Sequence, residues 1–183
     1  MFSKLLPGQI IFYYQHAELF DEVQHQSAYM CKNIVSKEGE DLSERFAITD
    51  DEEGMFQICL TETLPDIYDA VKKLTYGIEE ALYGSIKGAD VRLLDFEHLA
   101  DLDIDAEATF VVIRINDHEA YNPNTVRLVD AALRSAIEQG VLSNFYIRVT
   151  HPDLTKLAAT MFTGQLQALS QRIVPLMKKT VFP

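Results

Sequence analysis

The chain has 183 residues, of which 48% are hydrophobic and 24% are charged. This length and balance are typical of one globular domain and argue against a disordered chain, so we expect a single domain over residues 1–183. The formal net charge of −12 argues against a duplex nucleic-acid binder, because such proteins present basic surfaces to phosphates.

Acidic and basic side chains are distributed unevenly along the chain. Residues 1–140 contain 27 of the 28 Asp and Glu residues and 11 of the 16 Lys and Arg residues, a net charge of −16. Residues 141–183 contain one acid, Asp153, and five basic residues, a net charge of +4. The pattern predicts an acidic body with a basic C-terminal end.

Neither the N-terminus nor the cysteines indicate export. The apolar run before Pro7 is too short for a signal-peptide core or for a membrane helix, which needs about 20 residues. Cys31 and Cys59 stand alone, without CxxC spacing or a nearby histidine, so we interpret them as buried apolar residues. We expect a cytoplasmic protein.

The first predicted element is a helix from Ile10 to about Val35, where apolar residues recur mostly at steps of three or four. Phe12, Tyr13 and Tyr14 are consecutive and would project around most of such a helix. At least one of them should therefore contact something outside the core. Because Tyr and Phe are enriched at protein interfaces, we predict an interaction site at these three residues. The polar residues that follow predict a loop up to about residue 50.

The second predicted helix begins after Thr49, whose hydroxyl precedes four consecutive acidic residues that suit a helix N-terminus. Apolar residues then form a seam from Phe56 to Ile78, which predicts a long helix that kinks or restarts at Pro65. In a rival interpretation FQICLT is a strand and a new helix begins near Thr63. We favour the helix because the acidic run has no purpose in a hairpin turn.

The best strand candidates are residues 90–95 (DVRLLD) and 108–115 (ATFVVIRI), which we expect to pair as an antiparallel ribbon. An acidic, solvated connection lies between them. Its carboxylates at positions 101, 103 and 105 have the spacing of a calcium loop, but Ala106 replaces the required glycine and Val112 the closing glutamate. We therefore predict no metal site.

Two helices are predicted after the ribbon. Asn122-Pro123 opens the first, whose apolar stripe runs from Val126 to Val141. Residues 143–150 continue that stripe but also alternate like a strand, and both interpretations stay open. A capping box at residues 150–153 (THPD) predicts the last helix, which Pro175 should end near Val174. The residues predicted to face inward on the last helix are Leu154, Leu157, Met161, Leu166, Leu169 and Ile173.

The C-terminal tail combines apolar and basic residues. Starting at Arg172, it is too apolar for a solvated tail and too short to form a core. We predict that it docks onto the acidic body of its own domain or onto a neighbouring copy; the alternative is a frayed terminus. Phe182 would be the apolar anchor, and Lys178 and Lys179 would bind carboxylates.

The sequence carries no recognisable catalytic motif. Phosphate-binding, dinucleotide-binding, serine-hydrolase and zinc-protease motifs are absent, and none of the five histidines belongs to a constellation of catalytic or ligating residues. We therefore predict a protein without enzymatic activity, catalytic residues or cofactors.

The predicted elements define a mainly helical α+β fold of about four helices with an inserted antiparallel β-ribbon. An alternative follows if FQICLT and NFYIRV are strands. The order then becomes βαββαβ, which is ferredoxin-like with extra helices and suits a module that binds a small molecule or a peptide.

The C-terminal half contains four predicted elements in a fixed order. They are a hydrophobic strand (VVIRIND), a long apolar helix, a Thr-x-Pro turn (THPD) and a last helix with basic residues. This order resembles that of a group of small proteins encoded in tailed-phage and prophage structural operons of gut anaerobes. The resemblance implies a virion-associated assembly protein near the tail or the head–tail junction and carries over no catalytic residue. We expect self-association or protein partners, and neither a nucleic acid nor a membrane as partner.

Overall fold

The computed structural model describes residues 2–6, 9–32, 34–35, 39–73, 75–82, 108–116 and 123–177. Its strands are β1 (Phe2–Leu6), β2 (Gln9–Gln15), β3 (Thr75–Leu82) and β4 (Thr109–Asn116). Its helices are α1 (His16–Cys31), α2 (Ser43–Phe46), α3 (Glu53–Val71), α4 (Pro123–Arg148) and α5 (Pro152–Met177). The predicted mainly helical α+β class is confirmed.

The strands form one antiparallel sheet in the order β1-β2-β4-β3. The two central strands, β2 and β4, pair with Phe12 opposite Ile113. Among the described elements, β1 pairs with β2 and β3 pairs with β4, and two longer helices follow each pair in the chain. The short α2 is added in the first half. The β2–β4 pair lies at the centre of this repeated arrangement.

One face of the central strands contributes to the hydrophobic core. Side chains on a strand alternate between its two faces, so every second residue of β2 and β4 points the same way. The residues that join the core shared with the helices are Ile10, Phe12, Tyr14, Val111, Ile113 and Ile115. The core therefore lies between the sheet and the four longer helices.

The prediction of one helix from Ile10 to Val35 is wrong at both of its ends. Residues 9–15 form β2, and α1 runs only from His16 to Cys31. The run IIFYY is apolar at every position and rich in β-branched and aromatic residues, which suits a central strand buried on both faces. Steps of three or four cannot distinguish a helix from a strand in so continuous an apolar run.

The helical interpretation of residues 56–61 is confirmed, since α3 is continuous from Glu53 and contains Pro65. Thr49 and Glu52 form a reciprocal capping box in the short 3-10 turn that precedes α3, and the Thr49 N–H donates to the Glu52 carboxylate at 2.8 Å. The prediction that this helix extends to Ile78 is wrong. α3 ends at Val71, and residues 75–82 form an outer strand of the sheet.

Residues 143–148 are helical as part of α4, so NFYIRV is not a strand. With both extra strands absent, the ferredoxin-like alternative is excluded. The predicted stripe of α4 is confirmed, because Val126, Val129, Leu133, Ile137 and Val141 are all buried.

The start of α5 differs from the predicted capping box by one residue. Thr150 has a left-handed backbone (φ 55°) and ends the turn after α4, so it is not the cap of the next helix. Instead, His151 Nδ1 accepts a hydrogen bond from the Leu154 N–H at 3.3 Å, and Pro152 is the first helical residue.

The predicted end of α5 near Val174 is wrong, because the helix continues to Met177. Pro175 lies in the last turn, where its missing N–H removes one helical hydrogen bond. The predicted inward stripe is confirmed for Leu154, Leu169 and Ile173. It is wrong for Leu157 and Met161, which remain 47% and 38% exposed.

β4 confirms the second predicted strand, and its partners among the described residues are β2 and β3. The predicted strand at residues 90–95, the acidic connection and the carboxylates at positions 101, 103 and 105 lie outside the described residues.

Candidate functional site

The three aromatic residues predicted to form an interaction site lie in β2. Phe12, Tyr13 and Tyr14 are all buried, in a strand whose side chains alternate between the two faces of the sheet. The prediction of a helix with an outward-facing aromatic is therefore wrong, and the reason for an interface at these positions no longer holds. Burial raises the pKa of Tyr13 to about 12, while nearby Arg114 opposes the shift.

Of the residues predicted to interact at the C-terminus, the structure describes Arg172. It is exposed on α5, and its Nη1 donates to the Leu128 carbonyl of α4 at 3.3 Å. Lys178, Lys179 and Phe182 lie outside the described residues. The aromatic and basic groups are thus not brought together in the described part of the chain.

The structure contains a polar layer between α1, α4 and β2, buried except for the partly exposed Gln26 and Arg134, that the sequence-based predictions did not include. Its members are Tyr14, Gln26, Asp130, Arg134, Glu138 and Gln139. Asp130, Arg134 and Glu138 are spaced by four residues and so share one face of α4. That spacing was the available sequence signal, but it is equally typical of an exposed helix face.

Two hydrogen-bonded groups make up this layer. Tyr14 donates its hydroxyl proton to Asp130 Oδ1 at 2.8 Å. Arg134 Nε donates to Glu138 Oε1 at 2.8 Å, and Gln26 Nε2 donates to Glu138 Oε2 at 2.9 Å.

The second group also includes Gln139, whose Nε2 donates to Gln26 Oε1 at 2.6 Å, while its Oε1 has no partner in the structure. Since the alternative to these bonds is an unpaired buried polar group, the layer favours one relative position of α1 and α4.

The acids of this layer are held in an environment that disfavours their charged forms. Burial raises the pKa of Asp130, and the hydrogen bond from Tyr14 only partly opposes the shift. Burial also raises the pKa of Glu138, despite its contacts with Arg134 and Gln26. Perturbed carboxyl groups occur in active sites and in structural networks alike. Here each carboxyl is bound to neighbouring side chains within the core, which is the arrangement of a structural network.

A second polar contact lies at the junction of β2 and α1. His16 Nε2 is 3.5 Å from Glu80 Oε2 on β3, a distance that brings the imidazole and the carboxylate together without a well-formed hydrogen bond. Burial lowers the pKa of His16, and Glu80 opposes the shift. The His16 ring also packs edge-on against Phe56, so this histidine contributes to packing between the sheet and α3.

Both cysteines are buried, as predicted. Cys31 Sγ lies 3.4 Å from the Tyr146 hydroxyl, and burial raises the pKa of the Cys31 thiol. Burial likewise raises the pKa of Cys59. A raised pKa reduces the thiolate fraction, so neither cysteine has the environment of a reactive nucleophile.

Within the part of the chain that the structure describes, no group of three or more His, Cys, Asp or Glu side chains could hold a metal ion. Among the helices of the described ranges, none combines the length and the hydropathy that crossing a bilayer requires. Two of the five histidines, His98 and His118, lie outside those ranges.

One exposed surface in the described part of the chain, the outer face of α5, has an unusual composition. No charged residue occurs between Lys156 and Arg172, a run of 15 residues in a chain of which 24% is charged. Its exposed positions are Leu157, Thr160, Met161, Thr163, Gly164, Gln167, Ser170 and Gln171. The absence of charge in this run was visible in the sequence, but only the structure shows that the run has an exposed face.

Comparisons with known proteins find no counterpart for this arrangement: no protein-family model, no curated protein and no solved structure matches the chain. Any function must therefore be argued from the surfaces and charges of the chain itself.

Proposed function

We propose that this chain is a non-enzymatic assembly protein that acts by binding other protein chains, copies of itself included. The observation that carries the proposal is a set of large apolar side chains of α4 and α5 that face solvent. These residues are Leu128, Ile147, Leu157, Met161 and Val174.

Single exposed apolar residues are common on protein surfaces. On α5, however, two of them lie together in a part of the helix that carries no charge. Leu157 and Met161 are one helical turn apart and belong to the uncharged run between Lys156 and Arg172. The buried centres of protein interfaces are depleted of charged residues and enriched in Met. The outer face of α5 has this composition.

The charge distribution supports an assembly role as well. Residues 1–140 carry a net charge of −16 and residues 141–183 a net charge of +4. Opposed charges on two parts of one molecule accelerate and orient association between copies. Such association weakens as salt screens the charges.

The resemblance of the C-terminal half to small phage structural-operon proteins supports a more specific proposal. We place the protein in the virion or its assembly pathway, near the tail or the head–tail junction. The genes beside the coding sequence test this part: neighbouring tail, portal or head genes are expected, and a location among unrelated metabolic genes contradicts it.

Light scattering of the purified full chain tests the proposal of self-association. We expect the weight-average mass to rise above 20.8 kDa as protein concentration increases, and to rise less in high salt than in low salt. A chain that stays monomeric at high concentration in both low and high salt contradicts the proposed self-association.

A further inference from the structure

The outer face of α5 contains a regular stripe of residues beside its buried stripe. The stripe consists of Asp153, Leu157, Met161, Gly164, Ala168 and Arg172, at steps of 4, 4, 3, 4 and 4 residues. Such spacing keeps these residues on one side of a helix, as in a coiled-coil seam. All of them are exposed except Ala168, which is partly buried. We refer to this set as the outer stripe.

The two halves of the outer stripe differ in size and charge. The N-terminal half has an acid at its end and two large apolar side chains, Leu157 and Met161. The C-terminal half has two small residues, Gly164 and Ala168, and ends in a base. A helix with this asymmetry is complementary to a copy of itself that runs in the opposite direction.

We propose that two copies of the chain associate through an antiparallel pair of α5 helices related by a two-fold axis. With Asp153 opposite the Arg172 of the second copy, Leu157 lies opposite Ala168 and Met161 lies opposite Gly164. Each pairing occurs twice, because a two-fold interface is isologous. Large side chains then fill the space left by small ones, and unlike charges meet at both ends.

The outer stripe brings few charges into a contact between copies. A chain with a net charge of −12 repels its own copies. The 15 residues between Lys156 and Arg172 add no charge that would repel a second copy or that an interface would have to desolvate. Arg172 is already positioned by its contact with the Leu128 carbonyl and retains donors for a second partner.

This inference rests on the proposed self-association and specifies its surface. Charge reversal tests it directly. In Asp153→Arg, both ends of the helix pair place two arginines together, and in Arg172→Asp both ends place two aspartates together. We expect each variant alone to dimerise about tenfold more weakly than the wild type in sedimentation equilibrium. An equimolar mixture of the two variants should recover the dimer. In the mixed dimer one chain contributes an arginine at both ends and the other an aspartate at both ends, so unlike charges meet again.

A matched pair of variants tests the uncharged centre of the stripe. Met161→Glu places a carboxylate opposite Gly164 of the second copy and should weaken dimerisation at least about 100-fold. Ser170→Glu adds the same charge to the same helix, at an exposed position roughly opposite the outer stripe, and should leave dimerisation unchanged. Circular dichroism checks that all variants retain the wild-type helix content.

The possible failures are distinguishable. A wild type that remains monomeric at every concentration contradicts the proposed self-association as a whole. Equal dimerisation of Met161→Glu and Ser170→Glu, or a mixture of the variants at positions 153 and 172 that does not recover the dimer, overturns only the α5 pairing. A mass that grows beyond the dimer with concentration also overturns it, because two-fold pairing is closed.

Discussion

Gly140 of α4 lies against Thr63 of α3 and Phe162 of α5, and its replacement by alanine tests the packing of these helices. A Cβ atom at this position would lie 2.2 Å from Thr63 Cγ2 and 2.9 Å from the Phe162 ring. Thr63 is buried, and its hydroxyl donates to the Cys59 carbonyl at 2.8 Å and accepts from Asn144 at 3.1 Å. The methyl group cannot rotate away without breaking these bonds, so the helices must separate.

The expected cost follows from two opposing contributions. Overpacking of a well-packed core costs about 1–3 kcal/mol, and a required displacement of more than about 1 Å places Gly140→Ala at the upper end. Alanine is more favourable than glycine within a helix by about 1 kcal/mol. We therefore expect a net loss of about 2 kcal/mol in the free energy of unfolding, or a fall in Tm of about 4–8 °C for a chain of this size.

Urea unfolding of Gly140→Ala measures this loss, and two further variants identify its cause. Gly54→Ala, in the first turn of α3, places its Cβ where no atom lies within 4 Å and should not destabilise the protein. Thr63→Ser removes the clashing methyl group but keeps the hydroxyl, so in the Gly140→Ala background it should restore at least about 1 kcal/mol relative to additivity. Unchanged stability of Gly140→Ala, or additive effects of the two substitutions, would refute the reasoning.

Three further predictions concern polar groups and caps. Asp130→Asn keeps the acceptor for Tyr14 but removes a carboxyl whose folded-state pKa is raised by burial. The wild type loses stability as pH rises from the pKa that Asp130 has in the unfolded chain, about 3.9, through its raised pKa in the folded state. The variant should therefore be more stable than the wild type at pH 7 in urea unfolding. That advantage should shrink as pH falls towards 4; an equal difference at both pH values contradicts it. Thr150→Gly should stabilise the protein by about 1 kcal/mol, because a β-branched residue is strained at φ 55°, and a lower Tm would show that reasoning to be wrong. Thr49→Ala should lower the free energy of unfolding by about 1 kcal/mol in urea unfolding, because it removes the capping box. An unchanged free energy would show that the box does not stabilise the helix.

The sequence predicted the helices well where caps and a clear apolar stripe agreed. The start of the helical region after Thr49, the start of α4 at Pro123 and the burial of α4 from Val126 to Val141 all follow from local signals. Such signals act within a few residues and do not depend on distant partners.

The sheet was largely missed because its formation depends on distant partners. β2 is stabilised by pairing with β4, about 100 residues away in sequence, with Phe12 opposite Ile113. The predicted helix wrongly included part of β3, because Ile78 continues the apolar spacing of α3. β4, rich in β-branched residues, carried a clear local strand signal, whereas the equally apolar run of β2 also matched the spacing of a helix.

The candidate interface was also only partly visible in the sequence. Periodicity placed Leu157 and Met161 in the core because two adjacent apolar stripes on a helix have the same spacing as one broad inner face. Whether the second stripe has a neighbour is a tertiary property. The missing charges between Lys156 and Arg172 were the one local signal that this face differs from an ordinary solvated helix.

The way α5 is anchored links the candidate interface to the stability of the fold. Its buried residues are Leu154 and Ala158 near one end and Leu169 and Ile173 near the other, whereas Phe162 and Leu166 between them are only partly buried. The side chains in the middle of the helix, beside Met161 in the outer stripe, are therefore less buried than those towards its ends. A second copy bound there would stabilise the folded state by mass action, since the unfolded chain has no such surface.

This coupling predicts that the Tm of the wild type rises with protein concentration. Met161→Glu should abolish that dependence, whereas the Ser170→Glu control should preserve it. Differential scanning calorimetry over a hundredfold range of concentration measures the effect, provided that unfolding is reversible. A wild-type Tm that is independent of concentration while light scattering shows a dimer would contradict the coupling of dimerisation to stability. A Met161→Glu variant whose Tm still rises with concentration like that of the wild type would place the dimer interface elsewhere on the molecule.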